Sequence, residues 1–402
     1  MPIFQYKAKD KTAQTVTGQI EAANEGQAIE LISQRGLLPV AIYEGTKSFA
    51  GSTPQRPRKI KTRELYLFSR QMSSLIKAGV PILQALFMIS EQTQESYFKG
   101  VISSIHQGIR GGKSFSECLS GYPYIFNAFY VAMIKVGEEG GTLKEMLSRL
   151  SEYLQTQEEI FSKVRSALAY PVVMMIVGLG TVLFILTFVM PKITVMFSSM
   201  SEQLPVPTRI LMNVSTFLKD GWMGMGLVIL AGTLFLRTWG QSEKGRRALS
   251  AFKLQLPFLK DFILKAELAR FCRTLEVLLR SGVSLLKGLE IAIPTLSNEV
   301  VKDTLGHCRN DLESGARLTE SLKKSTLVPP MMVSILSIGE ESGALEATLK
   351  EVADGYEQET NEAIKTMTTL LEPLLILGIG LVVGAIVLAM LLPIFQIDIL
   401  AR

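Results

Sequence analysis

Only two histidines and three cysteines occur in the 402 residues of this chain, and their scarcity removes several chemistries at once. His106 and His307 have no Cys, Asp or Glu at a spacing that makes a convincing metal site. Cys118, Cys272 and Cys308 stand alone, with no CxxC and no flanking ligand set, so idle or buried thiols in a reducing compartment are expected. The chain has no Gly-x-x-x-x-Gly-Lys-[Ser/Thr] loop, and so no sign of hydrolysing a nucleotide itself. No catalytic constellation emerges, which points to a protein that is not an enzyme and has no cofactor. The first ten residues lack the basic start, apolar core and small-residue cleavage site of a signal peptide, so insertion into a membrane must use internal segments. The net charge is only +5. Its basic residues crowd beside apolar runs rather than along a stripe, so nucleic acid is not an expected partner.

What the chain does have is apolar residues, 48% of the total, with a positive mean hydropathy. Residues 166–191 form a 26-residue run without a charge and residues 373–397 one of 25; each exceeds the roughly 20 residues that cross a bilayer core. Residues 221–236 give a shorter run of 16. It reaches spanning length if Arg237 snorkels to the headgroups and Trp222 and Trp239 sit at the two interfaces. Three transmembrane helices are expected, at 168–190, 221–239 and 373–396. The interiors of these spans carry no ionisable group, which disfavours the alternative of a transporter or channel subunit. Gly178, Gly180, Gly378, Gly380 and Gly384 instead suit close helix packing.

Residues 1–45 read as a small β/α unit, with strands at Ile3 to Tyr6, Thr15 to Ile20 and Leu38 to Ile42 and a helix from Glu25 to Gln34. Residues 46–59, rich in Ser, Gly, Pro and basic residues, read as a linker. Beyond them lies an internal repeat. Phe68-Ser-Arg-Gln-Met-Ser-Ser-Leu-Ile-Lys-Ala-Gly-Val aligns with Phe271-Cys-Arg-Thr-Leu-Glu-Val-Leu-Leu-Arg-Ser-Gly-Val at an offset of 203, and Val136-Gly-Glu-Glu-Gly-Gly-Thr-Leu aligns with Ile338-Gly-Glu-Glu-Ser-Gly-Ala-Leu at 202. One deleted residue accounts for the change of register. Leu65, Phe68, Met72, Leu75 and Ile76 share a 3.6-period face, as do Leu275, Leu278 and Leu279, so each copy is expected to be a bundle of about six short helices. The copies, at 60–165 and 240–370, each feed a span. Three spans place both copies on one side, with a loop at 191–220 on the other. Lys and Arg near the span ends number nine on the shared side against four, which makes the shared side cytoplasmic.

Two Gly-Glu-Glu segments are the best functional candidates. Glycines permit a sharp reversal, and Glu138, Glu139, Glu340 and Glu341 are expected to be exposed in connecting loops, free to meet a basic partner surface. The competing expectation is a plain connector, with the glutamates near the dipole of the next helix.

The duplicated Arg-x-x-x-x-Leu-Leu-x-x-Gly-Val pattern, the Gly-Glu-x-x-Gly-x-Leu segments and the Lys163-Val-Arg-Ser-Ala-Leu-Ala-Tyr-Pro run ending at Pro191 resemble the platform protein family of type II secretion systems and type IV pili. The resemblance covers essentially the whole chain. Ile185 departs conservatively from the family signature. The resemblance implies an all-α integral membrane protein of the bacterial inner membrane, apart from the N-terminal unit. It also implies a non-enzymatic scaffold that forms homo-oligomers and works with a cytoplasmic assembly ATPase, other inner-membrane assembly proteins and pilin or pseudopilin subunits. Some members carry calcium in the first domain, which would fall on Gln84 and Glu138 here; Thr142 stands where a carboxylate is expected, removing a charged oxygen of the kind calcium favours.

Overall fold

The computed structural model describes residues 3–9, 15–22, 24–34, 36–44, 59–192 and 206–400. The proposed linker lies outside them except for Lys59, as does the 193–205 part of the loop expected between the first two spans. The chain divides into two compact units, 1–59 and 60–402.

In the first unit, β1 (Ile3–Lys9), β2 (Thr15–Glu21) and β3 (Leu38–Glu44) form an antiparallel sheet of order β2-β1-β3. The register pairs Ile3 with Glu21 and Lys9 with Thr15. Helix α1 (Glu25–Gln34) turns Ala28 and Ile32 onto Ala8, Ile20 and Ala22 to close a small core.

The second unit carries the repeat. Its first copy comprises α2 (Thr62–Lys77), α3 (Ile82–Gln92), α4 (Ser96–Arg110), α5 (Phe115–Ser120), α6 (Ala128–Glu139) and the start of α7 (Leu143–Phe184). A π-helical turn at Ile185–Val189 extends α7 to Lys192. Next come α8 (Val206–Gln241) and α9 (Glu243–Gln255). The second copy then runs through α10 (Pro257–Arg280), α11 (Leu285–Ala292), α12 (Glu299–Glu313), α13 (Leu318–Lys323), α14 (Pro330–Ser342) and α15 (Leu345–Leu400). In both copies the first helix stops at a glycine of positive φ, Gly79 at +83° and Gly282 at +85°, a conformation that costs glycine nothing and other residues dearly. The register change falls in the connection between α5 and α6, where a residue can be lost without shifting a helix face.

Each copy packs its first helix against its last, α2 on α7 and α10 on α15. Phe68 and Phe271 lie at equivalent buried positions in one core that runs without interruption through both copies. The two long helices also pack on each other. Lys163 Nζ lies 3.3 Å from Asn361 Oδ1, Gly178 abuts Ile379, and Leu186 and Met190 cluster with Ile386. The contacts advance together along both chains, so α7 and α15 are parallel.

The boundary expected between soluble copy and span, near 165 and 370, is not a break. Leu143–Lys192 and Leu345–Leu392 are two continuous helices apolar and long enough to cross a membrane. Pro171 and its equivalent Pro373 sit inside them, as prolines do in spans whose neighbours satisfy the freed carbonyls. The 191–220 segment is not all loop either. It is helical from Val206, with Thr208 Oγ1 donating to Ala389 O at 2.6 Å and Ser215 Oγ to Leu186 O at 2.5 Å. Helical segments Val206–Gly221 and Gly226–Gly240 meet at 70° and together reach the length of a third span. Of the span glycines, Gly178 alone meets a neighbouring helix; a Cβ there would lie 2.4 Å from Ile379 Cδ1, whereas Gly180, Gly378, Gly380 and Gly384 have open space.

Candidate functional site

The Gly-Glu-Glu segments are not loops. Gly137, Glu138 and Glu139 form the last turn of α6, and Gly339, Glu340 and Glu341 the corresponding turn of α14. The reversals follow them, at Gly141 and Gly343, whose φ values are +66° and +72°. The first glycine of each segment serves close approach. A Cβ on Gly137 would stand 2.9 Å from Leu143 Cα, and one on Gly339 would stand 2.0 Å from Thr348 Oγ1. Each glycine thus lets the end of one helix touch the first turns of the long helix that follows.

The first glutamate of each pair points inward. Glu138 Oε1 accepts from Phe115 N at 2.6 Å and Oε2 from Ser116 N at 2.9 Å. Glu340 does the same for Leu318 N at 2.8 Å and Thr319 N at 3.0 Å. These are the first two amides of α5 and α13, donors that no intrahelical carbonyl can reach. A carboxylate at a helix N-terminus makes charge-assisted bonds and suits the dipole. In the first copy Ser114 Oγ also accepts from Glu117 N at 3.1 Å; in the second, Arg317 occupies that position and gives no side-chain cap. The expectation of four exposed carboxylates is therefore corrected. Glu138 and Glu340 are half-buried and engaged within their own copies, because each completes a helix end 22 residues earlier in the chain. Glu139 and Glu341 remain exposed. Glu139 stands 3.7 Å from Lys135 on the same helix face.

The calcium ligands implied for the first copy do not fit that ion. Gln84 is exposed on α3, both oxygens of Glu138 face backbone amides, and Thr142 carries no charge. Among the described residues no group of three or more His, Cys, Asp or Glu side chains is placed to hold a metal. Calcium favours six or more oxygens with several charged, and here the one carboxylate is already spent on α5.

Sequence reasoning missed the junction between the copies. Arg149 on α7 donates to Arg280 O at 2.8 Å and Ser281 Oγ at 2.9 Å, closing the C-terminus of α10. Tyr153 Oη lies 3.3 Å from Thr274 Oγ1 and its ring is 4.7 Å from that of Phe129, while α6 packs on α11. Within the second copy, Arg273 binds both oxygens of Glu357, at 3.0 and 2.9 Å, and also Asp354. Burial works against its charge, yet the Glu357 and Asp354 carboxylates hold the guanidinium above its ordinary pKa. Burial raises the Tyr153 hydroxyl and the thiols of Cys118, Cys272 and Cys308. All three thiols are free and buried. No sequence motif marks this junction, although the aligned repeat could have flagged Tyr153 and Arg149, whose equivalents are Gly355 and Glu351.

The family described as type II secretion system (T2SS), protein F, matches residues 68–191 and 271–393, and its N-terminal domain matches residues 1–43. The chain is 36% identical over 400 residues to the type IV pilus assembly protein PilC of Thermus thermophilus, covering 99% of this chain and 98% of that protein. It is 31% identical over 402 residues to the type II secretion system protein F of Xanthomonas campestris, covering 99% of each. To the protein of the same name from Aeromonas hydrophila it is 30% identical over 381 residues, covering 94% of this chain and 98% of that one.

Proposed function

The chain belongs to the type II secretion system protein F family, and from that premise we propose that it is the inner-membrane platform of a type II secretion system or type IV pilus. It is a scaffold: the two copies face the cytoplasm, engage the assembly ATPase and inner-membrane assembly proteins, and pass displacement to spans that receive pilin or pseudopilin subunits. One observation carries this reading. Two parallel helices each run unbroken from a soluble copy through an apolar run, roughly 75 Å for 50 residues at 1.5 Å per residue. A push on either copy reaches the far end of its helix without an intervening linker.

The parallel course of α7 and α15 also supports three crossings. With both copies at the same ends of these helices, the chain must return across the bilayer between Lys192 and Glu243, and α8 is the apolar segment there. The excess of Lys and Arg beside the copies supports a cytoplasmic placement. Exposed Glu139 and Glu341 remain candidates for contact with basic partner surfaces.

The test is a deletion strain complemented by the wild-type chain and scored for exoprotein secretion and surface piliation. Loss of either, restored by complementation, is the expected result, and the purified chain should turn over no ATP. Secretion and piliation that both persist in the deletion strain would contradict the platform reading.

A further inference from the structure

The contact between the two copies is one-sided. Inside the chain, Arg149 and Tyr153 on α7 of the first copy bond Thr274 and Arg280 on α10 of the second and Ser281 just after it, and α6 packs on α11. Within residues 60–402 the repeat places an equivalent of each face on the far side of its copy, and among the described residues both are exposed. Phe129 is 1% exposed whereas its equivalent Met331 on α14 is 75% exposed. Tyr153 and Arg149 correspond to Gly355 and Glu351, both exposed on α15. On the receiving side, Val277 and Ile291 are buried, whereas their equivalents Ser74 and Met88 are exposed. Between α2 and α3 this leaves a groove of about 340 Å³ lined by Leu67, Arg70, Gln71, Ser74, Met88 and Gln92.

We infer that the α14–α15 face of one molecule docks in the α2–α3 groove of a second copy, repeating between chains the contact that the two copies make within one. The charges agree. Where Arg149 meets the end of α10, Glu351 would meet the end of α2, which carries the exposed Lys77, and Arg70 lies at the groove. Arg70 bonds Tyr66 Oη at 3.0 Å and, among the described residues, has no carboxylate partner, unlike its equivalent Arg273. The internal relation keeps α7 and α15 parallel, so its repetition leaves these two helices of each molecule running in the same direction as those of the next. A face that meets a different face on the next molecule makes a heterologous contact, which grows into a closed ring or an open array. This surface is additional to any that engages the assembly ATPase and does not depend on the identity of the fibre.

The repeat supplies the test positions. Arg149 and Ser281 touch at 2.9 Å, and their equivalents are Glu351 and Ala78. Full-length chains bearing Ala78→Cys and Glu351→Cys, tagged differently and co-expressed, should be joined between molecules by a short bis-maleimide cross-linker, whose reach matches an arginine-length contact better than the roughly 3.8 Å between Cβ atoms of a disulfide. The yield should be about tenfold above either variant alone and above Ala78→Cys paired with Glu320→Cys, for a contact fixed by specific complementarity. A yield no greater than with Glu320→Cys, or an Ala78–Ala78 product that dominates as in a twofold contact, would overturn the proposal. If either cysteine chain fails to reach wild-type membrane levels, a charge swap decides. Glu351→Lys should shift the solubilised protein to smaller species and added Lys77→Glu should restore its size; no shift with Glu351→Lys overturns the proposal.

Discussion

The two copies of the helical domain keep the same internal hardware and differ on their outer faces. Both close their fourth helix with the first glutamate of a Gly-Glu-Glu turn, and both press the glycine of that turn against the next helix. The outer face of the first helix diverges: α10 is buried or half-buried from Phe262 to Leu279, whereas α2 leaves Leu67, Arg70 and Ser74 open. The second copy also has an ion-pair network around Arg273 that, among the described residues, the first does not share. Duplication thus preserved what holds each copy together and released what each copy shows to its surroundings.

The shared hardware is broken most severely at the glutamate caps. Glu138→Ala and Glu340→Ala each strand two amides, and at about 1–3 kcal/mol per unpaired donor the loss should be about 3 kcal/mol for each. Glu340→Ala should be the worse, since Ser114 has no capping counterpart in the second copy. Glu139→Ala and Glu341→Ala should stay within about 0.5 kcal/mol. The buried thiols report each copy separately in denaturant titrations of the full chain, Cys118 for the first and Cys308 for the second. Equal losses for inner and outer glutamates would remove the capping account.

The glycines should distinguish the copies at about 2 kcal/mol, a usual cost of overpacking. In Gly339→Ala the obstacle is the Thr348 side chain, so added Thr348→Ala should recover most of the loss in thermal unfolding. In Gly137→Ala the obstacle includes Leu143 Cα, and Met146→Ala should recover little. A smaller contrast, about 1–2 kcal/mol from carboxylates left without their donor, separates Arg273→Met from Arg70→Met, which should be nearly neutral in the same assay.

Acid should produce the smallest difference. The hydroxyl of Ser321 and then the Lys324 ammonium hold the Asp311 carboxyl below its usual pKa. Its stabilisation is therefore complete above the ordinary aspartate value of about 3.9 and is lost as pH falls through the lower folded value. The equivalent residue in the first copy is Gly108, so acid pulses read by hydrogen exchange should loosen α12 and α13 before α4 and α5. Asp311→Asn should flatten that order.

The repeat, the helical faces and the two long apolar runs were all legible, because offset and periodicity are properties of the sequence itself. Phe68, Met72, Leu275 and Leu278 are buried as their spacing requires. The Gly-Glu-Glu turns were misread because glycine signals a break whether it serves a turn or a close approach. A carboxylate that caps a helix 22 residues earlier leaves no local trace. The helical start of α8 was hidden by Pro205 and Pro207, which resemble loop punctuation although proline also suits a first helical turn. The junction between copies was invisible for a different reason: Arg149 and Tyr153 depart from the repeat, and only the structure gives those departures a partner.

The central claim is that two copies stand on one side of the membrane, carried by parallel helices. Single cysteines at Lys99, Lys302 and Lys219 test it with a membrane-impermeant thiol reagent on intact spheroplasts. The account predicts labelling at 219 alone until the membrane is opened, after which 99 and 302 react as well. Labelling of 302 from outside while 99 stays protected would contradict it.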